Sequence, residues 1–322
     1  MNYDVFNGDA DGICALIQLR LHQPQEAKLI TGTKRDIQLL TKFNAKAGDQ
    51  LTVLDISLQK NIARVELFLE TGASIFYVDH HQPGDIPIHP GFSALINTDN
   101  TYCTSLIINQ HLQGKYPLWA IAAAFGDNIT ESAINLANEL HLAKNDIETL
   151  KKLGTYVNYN GYGSDIDDLH FAPDALYLEM TGYLSPLDFV SDNADIFYAL
   201  EAAFLEDMQH AKQIYPYYQS QAVAVYLLPD ASWARRVNGV FGNELANQTP
   251  SKAHAVITQN SDATMQVGVR APLDNKTGAD EICSTFLSGG GRKSAAGINH
   301  LPLDQLDVFI RNFDKFYMQL AV

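Results

Sequence analysis

The chain has 322 residues, of which 46% are hydrophobic, and its formal net charge at pH 7 is -15. This length predicts two domains with separate cores. The charge argues against a protein that coats long nucleic acid or duplex DNA, because such binding depends largely on basic residues that neutralise phosphates. A small anionic substrate remains compatible with it, provided that bound metal ions and a few arginines supply local positive charge.

The cysteines and the N-terminus indicate a cytoplasmic protein. The three cysteines are widely spaced and form no CxxC pair, so neither a disulfide framework nor a zinc knuckle is expected. The first residues lack the basic segment and apolar run of a secretory signal. No stretch of the sequence approaches the length of a membrane span, so we expect no membrane contact.

Strand-like and helix-like patterns alternate over the first hundred residues. The predicted strands are YDVFN, KLITG, LTVLD, SIFYVD and SALIN. The predicted helices between them are GICALIQLRL, RDIQLLTKF and LQKNIARVELFLETG. This alternation is typical of α/β folds, so the sequence predicts a doubly wound, mainly parallel sheet with helices on both faces.

Helices dominate the middle of the chain, and strands return near its end. The predicted helices are TSLIINQHL, LWAIAAAFGD, ESAINLANELHL and DIETLKKLG, and the Tyr- and Asn-rich segment YVNYNGYGSDIDDLHFAPDAL after them is predicted as an ordered surface loop. A helical run leads to the strands AVAVYLL, AHAVITQ and MQVGVRA. We therefore expect an N-terminal domain over residues 1–190 and a smaller C-terminal α/β domain with a mixed sheet over residues 191–322.

Acidic side chains and two histidines recur where predicted elements end. They are Asp9 and Asp11 after the first strand, Asp55 at the end of LTVLD, Asp79, His80 and His81 at the end of SIFYVD and just after it, and Asp127 after AAFG. The carboxyl ends of parallel strands meet at one edge of a sheet, where ligands of open α/β folds bind. We therefore expect these residues to converge on one crevice.

A cluster of carboxylates at one edge predicts bound cations. Neighbouring carboxylates repel one another and raise their own pKa values unless positive charge neutralises them. Oxygen ligands with one or two imidazoles suit Mn²⁺ or Mg²⁺ better than a thiolate-binding metal. Two such ions roughly 3.5 to 4 Å apart activate water and stabilise an in-line displacement at phosphorus. The sequence therefore predicts a hydrolytic centre with two ions, either Mn²⁺ or Mg²⁺.

Two segments near the C-terminus are candidate anion sites. Gly289, Gly290 and Gly291 precede Arg292, and the helix-compatible segment SAAGI follows. Backbone N–H groups and a guanidinium in this arrangement can hold a phosphate, although three consecutive glycines are commonly only a flexible turn. Arg270, at the end of a predicted strand, is the second candidate, with a structural ion pair as the equal alternative.

Five fragments in order resemble the motifs of a known family. The fragments FNGDADG, LTVLDIS, YVDHHQPG and AAFGDN resemble the four motifs of the DHH phosphoesterases, and GGGRKSAAG resembles the Gly-rich signature of their DHH-associated C-terminal domain. The resemblance covers nearly the whole chain. The family includes RecJ-like exonucleases, nanoRNases, cyclic-dinucleotide phosphodiesterases, exopolyphosphatases and manganese pyrophosphatases.

The resemblance implies a set of metal ligands. Asp9 is expected to bind one ion and Asp11 the other, while Asp55 and Asp127 contact both ions. His80 completes the shell of the second ion. In catalysis, the resemblance assigns the chemistry at the metals to Asp55, His80, His81 and Asp127.

The resemblance also assigns roles beside the metals and marks a departure. His81 is expected to contact the scissile phosphate, and Asp79 to orient both histidines. RecJ-like members have Asp where this chain has Asn7, and other members have His where it has Val5. Asn7 is therefore expected to be a weaker, neutral ligand of the first metal. Relatives usually have His at the position of Arg292, which leaves the substrate open.

The resemblance implies a manganese-dependent hydrolase that acts on short oligonucleotides or related small phosphodiesters. We expect its active site in a cleft between the two domains, which is the usual place for a small-ligand site. An exopolyphosphatase acting on phosphoanhydrides is the first alternative. A non-catalytic nucleotide- or RNA-binding module is the second, supported only by the departures at Val5 and Asn7. The sequence leaves the substrate length, the polarity of cleavage, the physiological metal and the oligomeric state open, a homodimer included.

Overall fold

The computed structural model describes residues 1–260 and 262–320, and the chain divides into two compact units, Met1–Glu201 and Ala202–Val322. A continuous helix, Ala194–Ala211, runs from the first unit into the second. The predicted domain boundary between residues 190 and 191 stays a prediction. Among the residues that the structure describes, no helix is both long and apolar enough to cross a lipid bilayer.

The first unit contains a five-stranded sheet and nine helices within the described residues. Its strands are β1 (Asn2–Phe6), β2 (Lys28–Ile30), β3 (Gln50–Leu54), β4 (Ser74–Asp79) and β5 (Phe92–Ile96). Its helices are α1 (Ala10–His22), α2 (Leu58–Glu70), α3 (Thr104–His111), α4 (Pro117–Gly126), α5 (Thr130–Glu139), α6 (Lys144–Asn160), α7 (Pro173–Met180), α8 (Pro186–Asp192) and the start of α9 (Ala194–Ala211). Short 3-10 helices cover Leu39–Lys42 and Ile166–Asp168.

All strand pairs of this sheet are parallel, in the order β2-β1-β3-β4-β5. The chain passes from β1 to β2 on one side and then crosses to β3 on the other side of β1. The strand order therefore reverses between β1 and β3. In open α/β sheets a crevice for ligands forms outside the carboxyl ends of the strands at such a reversal.

Helices cover both faces of the sheet, as the sequence predicts. Val5 and Tyr77 point to one face and pack in a buried cluster with Phe68 of α2. Asp4 and Thr52 point to the opposite face, where Arg20 of α1 donates hydrogen bonds to both side chains. Alternate residues of each strand thus pack against two different layers of helices. Because both faces of the sheet are covered, the strands are nearly continuous apolar runs in the sequence.

The segment RDIQLLTKF was predicted as a helix, and this prediction is wrong except for the short turn Leu39–Lys42. Side chains of α2 bind its backbone carbonyl groups. The Asn61 amide donates to the carbonyl of Ile37 at 2.6 Å, and Arg64 Nε donates to that of Leu40 at 3.2 Å. These carbonyl groups are therefore satisfied by tertiary contacts, which replace the helical hydrogen bonds that the local pattern favours.

The beginning of the predicted surface loop, YVNYN, is also different in the structure. Residues 156–160 form the last turns of α6 and are buried. Their polar atoms are satisfied inside the first unit, since Tyr156 Oη donates to Glu201 and the Asn160 amide donates to the carbonyl of Phe171. The polar residues that made this segment look like a surface loop therefore form buried hydrogen bonds.

The second unit contains a mixed sheet, as predicted, in the order β10-β11-β9-β8-β7-β6. Of the described pairs, β7 and β8 are parallel and the others are antiparallel. The strands are β6 (Tyr218–Gln219), β7 (Val223–Leu228), β8 (Ala253–Gln259), β9 (Thr264–Arg270), β10 (Gly289–Gly291) and β11 (Ala295–Pro302). The helices are α10 (Ser232–Gln248), α11 (Ala279–Ser284) and α12 (Leu306–Leu320), with a 3-10 turn at Leu303–Gln305.

The Gly-rich segment forms a β-hairpin, and the expectation of a helix after it is wrong. Gly289–Gly291 is strand β10, and the following SAAGI residues lie in the turn and in β11. A Cβ atom at Gly289 would lie 1.8 Å from the carbonyl oxygen of Cys283. The glycines therefore allow close backbone contact, and this segment offers no helix N-terminus to an anion.

Candidate metal centre

Asp9 lies directly after β1 and caps the N-terminus of α1. Its Oδ1 accepts hydrogen bonds from the backbone N–H groups of Asp11 and Gly12 at 3.0 and 3.1 Å. The chain turns so tightly here that a Cβ atom at residue 12 would lie 2.2 Å from the carbonyl oxygen of Asn7. This turn fixes the buried Asp9 carboxylate at the carboxyl edge of the sheet.

Asp11 connects α1 to the start of α3. Its two carboxylate oxygens accept backbone hydrogen bonds from Thr104 and Ser105, both at 2.7 Å. Burial raises the pKa of Asp11 to about 6, and the carboxylates of Asp127 and Asp9 add to this shift. The backbone donors therefore hold the group in place without offsetting the cost of its buried charge.

Asp55 follows β3 and has a left-handed backbone conformation, with φ of 58°. Asp tolerates this region better than most residues, although a non-glycine residue there costs on the order of 1 kcal/mol. Burial raises the pKa of the Asp55 carboxyl well above its usual range, and Asp11 and Asp9 raise it further. A strained backbone and a destabilised charge at one residue are typical of a functional position.

The His80 ring is buried among the carboxylates. Its Nδ1 lies 3.0 Å from the carbonyl oxygen of Tyr102, so the proton belongs on Nδ1. Nε2 then carries the lone pair and lies 3.3 Å from Asp55 Oδ1, 3.7 Å from Asp127 Oδ2 and 3.9 Å from Asp11 Oδ2. This is the orientation that a metal-binding imidazole requires.

His81 lies beside His80 but has a different environment. Its side chain is 32% exposed, whereas that of His80 is 3% exposed. Asp79 Oδ1 lies 2.7 Å from His81 Nδ1 and accepts the backbone N–H of His80 at 2.8 Å. Asp79 therefore orients the ring of His81, while the ring of His80 depends on the Tyr102 carbonyl.

Asp127 ends α4, and its carboxylate faces two sides of the centre. Oδ1 lies 3.1 Å from Lys34 Nζ, and Oδ2 lies 3.7 Å from His80 Nε2. The next residue, Asn128, has φ of 59°, so the helix stops and the chain turns away at once. The helix end thus places a carboxylate between the lysine and the imidazole.

Lys34 is a residue of the centre that the sequence analysis missed. It follows β2, and its ammonium pairs with Asp9, with Asp127 Oδ1 and, at 2.8 Å, with Asn158 Oδ1. Burial lowers the pKa of Lys34, but the Asp9 and Asp127 carboxylates raise it by more, so it lies well above its ordinary value. The sequence feature that could have identified Lys34 is its position after a predicted strand, which it shares with the aspartates.

Asn7 contacts Lys34 from the end of β1. It is buried, and its Nδ2 donates to the backbone carbonyl of Lys34 at 3.2 Å. Its Oδ1 is buried and accepts no hydrogen bond from the residues that the structure describes. The side chain therefore holds the backbone of Lys34, and its oxygen is still available to a ligand. Direct metal binding by Asn7 stays a prediction.

The residues of this centre fit a divalent cation. Ligand atoms lie within 4.8 Å of one another in two groups, Asp55 with His80 and His81, and Asp11 with His80 and Asp127. Carboxylate oxygens with one imidazole suit Mn²⁺ or Mg²⁺. A divalent ion would also relieve the repulsion that raises the pKa values of the buried carboxyl groups.

The predicted anion ligands lie in the second unit. Arg270 is engaged there, since Nε donates to Asn243 Oδ1 at 2.6 Å and other guanidinium N–H groups donate to the carbonyl groups of Gly239 and Val269. Arg292 is half-buried at the turn between β10 and β11. Substrate binding by Arg270, Arg292 and the glycines Gly289, Gly290 and Gly291 stays a prediction.

A groove of about 770 Å³ lies in the first unit, but it is not at the metal centre. It is lined by the beginnings of three strands, at Gln50, Ser74 and Phe92, and by Arg20 and Lys115. These are the amino ends of the strands, whereas the aspartates follow the carboxyl ends. The groove and the metal centre therefore lie at opposite edges of the sheet.

Solved structures with this fold include proteins of the kind that the sequence motifs indicate. RecJ from Thermus thermophilus in complex with Mn²⁺ superposes with a TM-score of 0.63 at 15% identity, over 99% of this chain and 52% of that one. This chain thus spans about half the length of that RecJ. The fold that the DHH resemblance implies is confirmed by this likeness.

Two further structures match over nearly their whole length. An exopolyphosphatase-related protein from Bacteroides fragilis has a TM-score of 0.51 at 11% identity, over 100% of this chain and 93% of that one. The pGpG-specific phosphodiesterase PggH from Vibrio cholerae has a TM-score of 0.51 at 13% identity, over 99% and 98%. No protein-family model matches the sequence, and no curated protein matches it.

Proposed function

We propose that this protein is a divalent-cation-dependent phosphoesterase of the DHH type. The observation that carries the proposal is the His80 ring, whose Nε2 lies within 3.9 Å of carboxylate oxygens of Asp55, Asp127 and Asp11. The ring is locked for metal binding by the Tyr102 carbonyl. These groups also meet where the strand order of the parallel sheet reverses, which is the usual ligand site of such folds.

In this proposal the buried residues bind the ion, and the more exposed His81 contacts the substrate. Asp11, Asp55, His80 and Asp127 would hold the ion. When bound, the ion lowers the pKa of water and neutralises charge that develops on the phosphate oxygens. His81 stands at the more exposed rim, and with Asp79 accepting from Nδ1 its Nε2 can donate a hydrogen bond to a phosphate oxygen in the protonated form.

The proposed substrate is a short oligonucleotide or a related small nucleotide phosphodiester. The net charge of -15 supports a small substrate, because a long polyanion would be repelled. The likeness to a pGpG-specific phosphodiesterase supports it too. Arg292 and the glycines before it are proposed to bind the non-reacting phosphate. Mn²⁺ is the proposed ion, with Mg²⁺ as its alternative, and the RecJ structure with Mn²⁺ supports this choice.

An exopolyphosphatase is the second candidate function. The likeness to an exopolyphosphatase-related protein favours it, at the same TM-score as the phosphodiesterase. The same metal centre would serve a phosphoanhydride, since both reactions displace an oxygen at phosphorus. Only the groups that bind the rest of the substrate distinguish the two functions.

A panel of substrates tests the proposal. With saturating Mn²⁺, we expect turnover of dinucleotides to exceed that of longer RNA and DNA, cyclic dinucleotides and polyphosphate. The matched control is Asp55→Asn, because Asn also tolerates the left-handed backbone of this position and should preserve the fold. Faster release of phosphate from polyphosphate would favour the second candidate. Absence of turnover on the whole panel would favour a non-catalytic binding module.

A further inference from the structure

We infer that the ammonium group of Lys34 takes the place of one divalent cation, so that the centre binds a single ion. The inference rests on the metal site of the proposed function and concerns how its charges are supplied. Asp11, Asp55, His80 and Asp127 would hold the ion. Lys34 would supply the second positive charge, on the side of Asp9.

The geometry separates two cationic positions that share Asp127. On one side, Asp127 Oδ1 faces Lys34 Nζ at 3.1 Å, and the same ammonium pairs with Asp9 and Asn158. On the other side, Asp127 Oδ2 faces His80 Nε2 at 3.7 Å. The first position already contains a positive charge among oxygen atoms, and the second contains the imidazole lone pair that an ion requires.

Both carboxylate oxygens of Asp9 are engaged while Lys34 is in place. Its Oδ1 caps α1, with N–H groups of two residues as donors, and its Oδ2 pairs with the ammonium. An ion bound to Asp9 would have to displace Lys34 from a partly buried ion pair or lie directly against a like charge. Both arrangements are unfavourable where the charges are partly shielded from water.

Hydrogen bonds to the backbone of Lys34 fix its position in the fold. Lys34 N donates to the carbonyl of Gly161 at 2.7 Å, and its own carbonyl accepts from Asn7 Nδ2 at 3.2 Å. The Lys34 ammonium also lies 5.5 Å from the ring centroid of Tyr162. The lysine is thus held at both peptide groups and along its side chain.

At residue 7 an amide fits the backbone of Lys34 better than a carboxylate would. A carboxylate at residue 7 would have no N–H to donate to the Lys34 carbonyl and would place a negative charge against it. The same change would add a charged ligand to the centre. Asn7 and Lys34 therefore act as a pair, in which the amide that holds the lysine replaces the acidic ligand of a second ion.

Counting bound metal tests the inference without an activity assay. Wild-type protein is stripped of metal with a chelator, equilibrated with Mn²⁺ and passed through a desalting column. Elemental analysis should then give one Mn²⁺ per chain, and the bound ion should give the six-line electron paramagnetic resonance spectrum of an isolated Mn²⁺. Two ions per chain, bound with similar affinity and showing a magnetically coupled spectrum, would overturn the inference.

A double substitution tests whether Lys34 is the reason for a single ion. Lys34→Met removes the charge with little change in length, and Asn7→Asp supplies the acidic ligand. We expect the combined variant to bind a second Mn²⁺ at least tenfold more tightly than the wild type does. The matched control is Lys42→Met, since Lys42 pairs with Asp36 outside the centre and should leave the count at one.

The outcomes of the two experiments are separable. If the combined variant is folded by circular dichroism and still binds one ion, the ammonium does not exclude the second ion and the inference fails. If the wild type hydrolyses phosphodiesters but binds two coupled ions, the proposed function stands and this inference falls. If it binds one ion but hydrolyses nothing on the panel, the proposed function falls and this inference stands.

Discussion

The ring Nδ1 of His80 lies 3.0 Å from the carbonyl oxygen of Tyr102, which places the unprotonated ring nitrogen among three carboxylates. The partner that fixes this ring is therefore a backbone group 22 residues further along the chain. A backbone acceptor carries no charge, so it orients the imidazole without adding to the negative charge of the centre.

Replacing His80 should weaken metal binding. Loss of a group that only orients a ligand commonly costs about 10- to 100-fold in metal affinity, and loss of the ligand itself should cost at least as much. We expect His80→Ala to reduce Mn²⁺ affinity by about that factor or more, measured by calorimetric titration. His22→Ala, at the exposed end of α1, is the control and should bind Mn²⁺ like the wild type. Equal affinities for both variants would remove His80 from the ion.

His81 should affect the chemical step. Its proposed partner is the scissile phosphate, so its contribution should not depend on the rest of the substrate. We expect His81→Ala to lower kcat by about 10- to 100-fold on a dinucleotide and on a generic activated phosphodiester alike. Steady-state kinetics on both substrates measure this, and retention of Mn²⁺ affinity separates His81 from the buried ligands. A change in KM alone would assign His81 to binding.

Arg292 should affect binding of the substrate and leave the chemistry unchanged. A charge-assisted hydrogen bond is worth roughly 1.5 to 3 kcal/mol, or about one to two powers of ten in kcat/KM. We expect Arg292→Ala to raise KM for a charged dinucleotide by that factor with little change in kcat. The generic ester, which lacks a second phosphate, provides the internal comparison. An equal fall in kcat on both substrates would contradict the proposed division between the two groups of residues.

The stability of the second unit should decrease on acidification because of His254. This histidine lies in β8 and is 2% exposed, and burial lowers its pKa to about 4, with a further contribution from Lys252. Burial favours the neutral imidazole in the folded chain but not in the unfolded chain. The resulting stabilisation is present above the unfolded pKa of about 6.5 and is lost as the pH falls towards 4.

Urea denaturation of the whole chain at several pH values measures this effect. Between pH 7 and pH 5 the wild type should lose about 2 kcal/mol that a His254→Leu variant does not lose. Leu has a similar size and no titratable group. Parallel pH profiles for the two proteins would show that His254 is protonated equally in the folded and unfolded states.

The aspartates of the centre were predictable because each follows a strand that the sequence itself marks. Asp9 and Asp55 come at the ends of apolar runs, and parallel strands bring such ends together whatever the connections between them. Lys34 follows a strand in the same way. However, a lysine after a strand is usually solvated, and no local feature shows that Asp127, 93 residues away, will pair with it.

The incorrect predictions have the same origin. The segment RDIQLLTKF has a helical pattern, but Asn61 and Arg64 from α2 bind its carbonyl groups. SAAGI is compatible with a helix, but its last four residues pair as part of β11 with β9, from Ala295 opposite Arg270 to Ile298 opposite Val267. In both segments a contact between distant parts of the chain decides the structure, and local propensity does not contain that information.

Because Asp11 accepts hydrogen bonds from the first residues of α3, two backbone amides report how often the centre opens. The N–H groups of Thr104 and Ser105 are buried and bound to the carboxylate of a proposed metal ligand. Their hydrogens can exchange with solvent only when the start of α3 separates from α1, which also dismantles the centre. The exchange rate of these two amides therefore measures how often the site opens, and a bound ion should slow it in proportion to its occupancy.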